Sequence, residues 1–338
     1  MLAFHSVVLY LYEKMTGDSP VAKRRRSDME GVPLLLKILA SSVPVADKSG
    51  GLIRDVLEKG DLGVVKKGWN DLQTEADRAA QRCIVASLSK SFPNVTIIGE
   101  EETDPNEDIK PDWVETSLDE NILKHVSNFP EEWKDVKDED IVIWVDPLDG
   151  TAEYTQGLLD HVTVLIGIAV KGKAVAGVIH QPYYNYKAGP GATLGRTIWG
   201  MVGLGAFGYT QKQPPKGKNI ITTTRSHSNK VVTDSVDACE PTEVIRVGGA
   251  GHKVLLLIEG EVHAYVFASP GCKKWDTCAP EAILTAIGGK LTDIHGSKLQ
   301  YHKEVQHKNT AGVLATFSVD HQWYLDKIPQ SAKDALKP

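Results

Sequence analysis

The chain has 338 residues, more than one hydrophobic core usually holds, so two packed subdomains are the starting expectation. Apolar residues make up 41% and charged residues 24%, a balance that excludes disordered and collagen-like architectures. With 38 Lys and Arg against 44 Asp and Glu the formal charge is −6, which argues against a broad polyanion-binding surface; a phosphate-bearing ligand would need its charge met locally, and cations held by carboxylates are the obvious means.

Four cysteines, Cys83, Cys239, Cys272 and Cys278, are scattered without a Cys-x-x-Cys pair. Neither a disulfide framework nor a zinc site is indicated, and a reducing, cytoplasmic setting fits. The apolar run 2–12 is interrupted by His5 and is too short to span a bilayer, while the basic cluster Lys23-Arg24-Arg25-Arg26 follows rather than precedes it. Residues 1–30 read as a peripheral extension, not a signal peptide. No membrane and no nucleic-acid polymer is expected as a partner, and the chain is expected to act as a monomer on a small molecule.

Taken in order, the apolar residues Leu34, Leu35, Ile38, Leu39, Ile53, Val56 and Leu57 recur at helical spacing and predict two helices, or one broken near Pro44. A stronger helix is expected from Asp71 to about Phe92, with Asp71 as its cap and Asp77 in its early turns. The run 95–98 reads as a buried strand that ends in Gly99-Glu100-Glu101, placing two carboxylates at a strand terminus. Residues 103–139 are acidic, carry Pro105, Pro111 and Pro130, and read as a mobile excursion with short helices. A second buried strand at 141–145 runs directly into Asp146-Pro147-Leu148-Asp149-Gly150-Thr151. The runs 162–170 and 174–180, joined through Lys171-Gly172-Lys173, form a hairpin pattern, followed by short strands at 196–199 and 206–209. Pro214-Pro215 and the flanking lysines set a border near Pro215, giving units 31–214 and 215–338. Beyond it, strand runs at 220–224, 244–247, 264–267, 291–294 and 312–315 alternate with helical runs at 253–258 and 277–286, a second layered α/β unit.

The most informative segment is Asp146-Pro147-Leu148-Asp149-Gly150-Thr151. Two aspartates three residues apart at a strand end, in a turn fixed by Pro147, can point to one locus, with the Leu148 carbonyl as a third oxygen. Hard oxygen donors of this kind suit Mg²⁺. Gly150 lets the backbone approach an anion, and the helix start after it offers N–H groups and the Thr151 hydroxyl. Asp276, in Lys274-Trp275-Asp276-Thr277, reads by itself as a helix-cap aspartate; it becomes a metal candidate because another carboxylate cluster exists for it to join. Taken alone, His227 and Lys253 read as exposed polar residues near helix starts.

Gly99-Glu100-Glu101, Asp146-Pro147-Leu148-Asp149-Gly150-Thr151 and Trp275-Asp276, in that order, resemble the motifs of the lithium-sensitive, magnesium-dependent phosphomonoesterase superfamily, which includes inositol monophosphatases, fructose bisphosphatases and bisphosphate nucleotidases. Within it the chain is most similar to the bisphosphate nucleotidases, over roughly 45–335. The resemblance implies a layered α/β (α+β) sandwich of the inositol monophosphatase type in two subdomains. It also implies a hydrolase that removes the 3′-phosphate of adenosine 3′,5′-bisphosphate, with the sulfated analogue PAPS and inositol 1,4-bisphosphate as further candidates. An inositol phosphate phosphatase of the same superfamily is the alternative. Two or three Mg²⁺ ions and inhibition by Li⁺ are implied with it. By position, Glu100, Asp146, Asp149, Asp276 and the Leu148 carbonyl would be metal ligands, and Asp77 with Thr151 the pair that activates water. Gly150, Thr151, Thr224, His227, Gly249 and Lys253 would contact the substrate. His252 stands where the resemblance leads one to expect asparagine, and Ala152 where a longer side chain is expected.

Overall fold

The computed structural model describes residues 31–68, 71–102 and 109–338. The expectation for 1–30, and part of that for 103–139, lie outside these residues. Among them, no helix is long and apolar enough to cross a membrane.

Helix α1, Leu34–Lys59, is one unbroken element of 26 residues with Pro44 inside it, not the interrupted pair the proline suggests. Pro44 has no N–H for the carbonyl four residues back, Ala40 O. The backbone N–H of Asp119 fills that place at 2.9 Å, so a later loop repairs the defect. The predicted start of the next helix also shifts. Asp71–Gln73 is strand β2, paired antiparallel with β1, Val65–Gly68, and helix α2 is Glu75–Ser91. Thr74 caps α2: its hydroxyl accepts from the Ala76 and Asp77 N–H groups while the Asp77 carboxylate accepts from Thr74 N, a reciprocal capping box.

Strand β3, Thr96–Gly99, leads to the segment before β4, where short helical turns occur as expected, among them α3, Glu120–Leu123. Strand β4 is Ile141–Asp149 and is followed by the single turn α4, Thr151–Thr155. Strands β5, Thr163–Val170, and β6, Lys173–Gln181, form the predicted hairpin, turning through Lys171 (φ 49°) and Gly172 (φ 77°), the left-handed pair such a tight turn needs. With β7, Arg196–Met201, and β8, Gly205–Phe207, they complete a six-stranded sheet in the order β3-β4-β5-β6-β7-β8, of which only the β3/β4 pair is parallel.

The second sheet has the order β10-β9-β11-β13-β12, from β9, Ile220–Thr224, β10, Glu243–Val247, β11, Ala264–Phe267, β12, Lys290–Thr292, and β13, Val313–Thr316. Helices α5, Lys230–Ala238, α6, Ala250–Ile258, and α7, Lys274–Ala286, connect these strands, and α8, His321–Lys327, and α9, Gln330–Ala335, close the chain.

Strand pleating decides what packs where. In β4, Ile141, Ile143 and Val145 join a core with Leu35, Leu39 and Ile53 of α1 and Ile84 of α2. The alternate residues Val142 and Trp144 point the other way, into a core with Val254 of α6, Ile283 of α7, and Tyr265 and Val313 of the second sheet. A third core holds Ile221 and Val266 on the far face of that sheet against Val236 of α5 and Tyr324 and Leu325 of α8. The result is a five-layer helix, sheet, helix, sheet, helix sandwich, the layered α/β class expected. Helix α7 lies so close to the first sheet that a Cβ on Gly167 or Gly177 would sit 2.6 Å from the Ala279 backbone.

Candidate active site

Asp146 and Asp149 are an odd number of residues apart, so in a regular strand they would face opposite sides of the sheet. They do not, because β4 is bulged there. Asp146 pairs with Leu165 and Asp149 with Thr163, so three steps on β4 match two on β5. Pro147 has no N–H to give to the ladder, and Leu148 N–H turns to Asp146 Oδ1 at 3.1 Å. The bulge opens into Gly150, whose φ of 94° is left-handed and whose missing Cβ would lie 3.1 Å from His161 O.

Around this bulge lies a cavity of about 340 Å³. Glu100, at the end of β3, Asp146, Leu148, Asp149, Gly150 and Thr151 line one part; Thr224, His227, Gly249 and Lys253 line another; Asp276, in the first turn of α7, completes the wall. Every expected site residue except Asp77 lines it. Asp77 is buried behind Thr151, whose hydroxyl lies 2.9 Å from Asp77 Oδ1 and 3.1 Å from Leu148 O. Asp276 comes from the second half of the chain yet lines the same cavity as Asp146, near enough for its charge to help raise the Asp146 carboxyl.

Several of these groups already have partners. Asp149 Oδ1 accepts from Ala250 N, and Oδ2 from Gly251 N, both at 2.8 Å, with Thr163 Oγ1 also on Oδ2 at 2.7 Å. It therefore clasps the first turn of α6 to β4. Lys253 Nζ donates to Gly249 O at 2.8 Å while still bordering the cavity, and the Thr224 hydroxyl accepts from His227 N at 3.0 Å. Glu100 has Lys67 of β1 at 3.4 Å, and Asp276 accepts from Lys273 N at 2.7 Å. Among the described residues no three acidic, histidine or cysteine side chains already converge as a closed metal cage.

Burial sets the electrostatics. It pushes Glu100 up to about 8, with the nearby Asp276 charge adding to the effect. It likewise raises Asp146, with repulsion from Glu100 and Asp149 next, and moves Asp149 up to about 6 with Asp276 second. Asp77 rises to about 6 through burial, against the opposing hydrogen bonds from Thr74. Hard oxygen donors gathered at one wall, with proton affinities raised by burial and mutual repulsion at Glu100, Asp146 and Asp149, are the donor chemistry a small divalent cation satisfies.

The sequence reading missed other cavity residues. Glu153 is buried on the wall, 3.4 Å from Arg225 and so close to Gly248 that a Cβ there would lie 1.9 Å from its carboxyl carbon. Lys273 and Lys308 also line the cavity. Glu153 is two residues past Thr151, a position that could have drawn attention; Lys308 lies on an irregular segment with no signal. His252 does not border the cavity. It stacks on His161 with ring centroids 4.8 Å apart, and burial lowers it to about 3.

A family model described as the inositol monophosphatase family matches residues 35–331. The chain belongs to that family. Among its members it is 60% identical to human 3′(2′),5′-bisphosphate nucleotidase 1 over 306 residues, covering 90% of this chain and 98% of that protein. The Dictyostelium discoideum protein of the same name is 41% identical over 305 residues, covering 86% of this chain and 96% of that one. The fold is that of the extragenic suppressor protein suhB from Bartonella henselae, with a TM-score of 0.60 at 22% identity, covering 88% of this chain and 97% of that chain.

Proposed function

We propose that this family member is a phosphoric monoester hydrolase that cleaves the 3′-phosphate of adenosine 3′,5′-bisphosphate, releasing AMP and orthophosphate. The observation that carries the reading is the shared cavity: carboxylates at one part of its wall, and Thr224, His227, Gly249 and Lys253 at another. That pairing suits a ligand with one phosphate to react and a remainder to hold. The identity to bisphosphate nucleotidases over most of the chain supports the same substrate.

Glu100, Asp146, Asp149, Asp276 and the Leu148 carbonyl would hold Mg²⁺, which when bound supplies charge neutralisation and acidifies water. The protein's own part is proton handling and positioning. Thr151 donates to Asp77, which leaves its oxygen lone pairs free to accept a proton from water at the cavity face. Asp77, with its proton affinity raised by burial, suits the receiving end of that relay. Gly249, just before α6, and Lys253 on α6, which Asp149 holds against β4, fix the nucleotide relative to the reacting phosphate, so substrate position and metal position share one anchor. Inhibition by Li⁺ follows if it occupies a carboxylate position with half the charge of Mg²⁺. We place the enzyme in the cytoplasm, consistent with four unpaired cysteines.

Phosphate release measured on adenosine 3′,5′-bisphosphate, PAPS, AMP, inositol 1,4-bisphosphate and fructose 1,6-bisphosphate tests this. The adenosine bisphosphate should be preferred and AMP left intact; preference for an inositol phosphate would overturn the substrate assignment while leaving the reaction class.

A further inference from the structure

We infer that Glu281 and Tyr301 are positioning residues for Asp276, acting through Thr277 and Asn309; the inference rests on Asp276 being a cation ligand. Asp276 is only partly buried at the cavity, and its carboxylate is tied locally to one backbone N–H, that of Lys273. What holds the first turn of α7 lies on its other side. The Thr277 hydroxyl accepts from Asn309 Nδ2 at 3.1 Å and stands 3.2 Å from both Tyr301 Oη and the Lys273 carbonyl. Asn309 Nδ2 also donates to Lys273 O at 3.0 Å, and its carbonyl accepts from Lys274 Nζ at 2.6 Å. Tyr301 donates to Glu281 Oε2 at 2.5 Å, one helical turn beyond Thr277.

The network is anchored in the first sheet. Trp144 Nε1 donates to Tyr301 O at 3.1 Å, and Tyr301 N donates to Gly172 O at 3.0 Å. Trp144 is two residues before Asp146. The same tyrosine therefore touches the strand that carries one proposed ligand and the helix turn that carries another. None of Glu281, Tyr301, Thr277 and Asn309 lines the active cavity, and Tyr301, Thr277 and Asn309 are all at most 3% exposed, so direct contact with a ligand there is not their role. Taking the half-buried Glu281 carboxylate partly out of water is costly, and apolar packing would attach the helix at lower cost. Directed hydrogen bonds add what apolar packing lacks, a defined rotation of the turn, and groups that orient metal ligands in this way strongly affect metal affinity.

The test is calorimetric titration of Mg²⁺ into the substrate-free, full-length protein, with unfolding temperature recorded for the same samples. Tyr301→Phe and Thr277→Val should each weaken Mg²⁺ binding by about tenfold. Glu281→Gln, which keeps an acceptor for Tyr301, should stay much closer to the unsubstituted protein. Lowered unfolding temperatures with unchanged Mg²⁺ affinity would overturn the inference, reducing the network to ordinary packing. Should Tyr301→Phe fail to fold, Thr277→Val, which exchanges one hydroxyl for a methyl, decides. If the unsubstituted protein takes up no Mg²⁺, the metal reading itself falls, an outcome distinct from variants that bind as well as the parent.

Discussion

Thr151 and Asp149 sit two residues apart and are asked to do different things, so their substitutions should separate. Thr151→Ala removes the hydroxyl between water and Asp77 but no proposed ligand. Turnover should fall by ~100-fold, the low end for lost acid–base assistance, with Mg²⁺ affinity nearly unchanged. Asp149→Asn places an amide against two backbone N–H donors at 2.8 Å, so it should lower Mg²⁺ affinity and loosen α6 together, visible as weaker substrate binding. Unchanged turnover in Thr151→Ala at saturating Mg²⁺ would remove Thr151 from proton handling. The sequence motif made Asp146, Asp149 and Thr151 legible because their residue types and spacing are local. The clasp on α6 was not, because Ala250 and Gly251 lie a hundred residues on and nothing in a linear pattern marks a carboxylate as already engaged.

Elements read well where their signal was periodic and poorly where a single residue carried a competing one. The β5/β6 hairpin followed from two β-rich runs and the Lys171-Gly172-Lys173 turn between them. At α2, Asp71 looked like a cap, but the residue that caps is Thr74, whose hydroxyl and backbone N–H both engage Asp77. Thr74→Ala should cost about 1 kcal/mol in urea unfolding, as lost N-caps do, and should also lower turnover by freeing Asp77. At α1, Pro44 argued for a break, and the repair of Ala40 O by Asp119 N–H is a tertiary contact no local reading could supply. The contact of α4 with the β10–α6 loop gives a sharper test. Gly248→Ala would press a methyl into the Glu153 carboxyl group, so it should destabilise by about 1–3 kcal/mol, measured by thermal unfolding, and raise KM.

For the whole molecule, the alternation of strand runs with helical runs beyond residue 215 was enough to suggest layers, but the count of five and the arrival of Asp276 beside Asp146 depend on α7 packing across both sheets, which only tertiary structure specifies. Burial of charge also makes global stability depend on pH in two opposed ways. His180 and His321 are lowered by burial to about 3 and about 4, below the ordinary 6.5. Their contribution is fully present above pH 6.5 and is lost as the unfolded chain takes up protons below it. Glu100, raised to about 8, works the other way: without metal the folded state is favoured when it is protonated, and stability falls as pH rises toward 8. Unfolding temperature in EDTA should therefore decline from pH 6.5 to 8, and the stabilisation by Mg²⁺ should grow over the same interval; a metal effect independent of pH would argue against these carboxylates as the ligands.

The proposed function requires one cavity to hold a nucleotide so that only its 3′-phosphate reaches the carboxylate cluster. The most direct measurement is chromatographic analysis of adenosine 3′,5′-bisphosphate incubated with the protein and Mg²⁺, with and without LiCl. AMP and orthophosphate should accumulate in equal amounts, AMP should persist, and LiCl should suppress the reaction. Release of the 5′-phosphate, or equal hydrolysis of AMP and the bisphosphate with no response to lithium, would exclude that function.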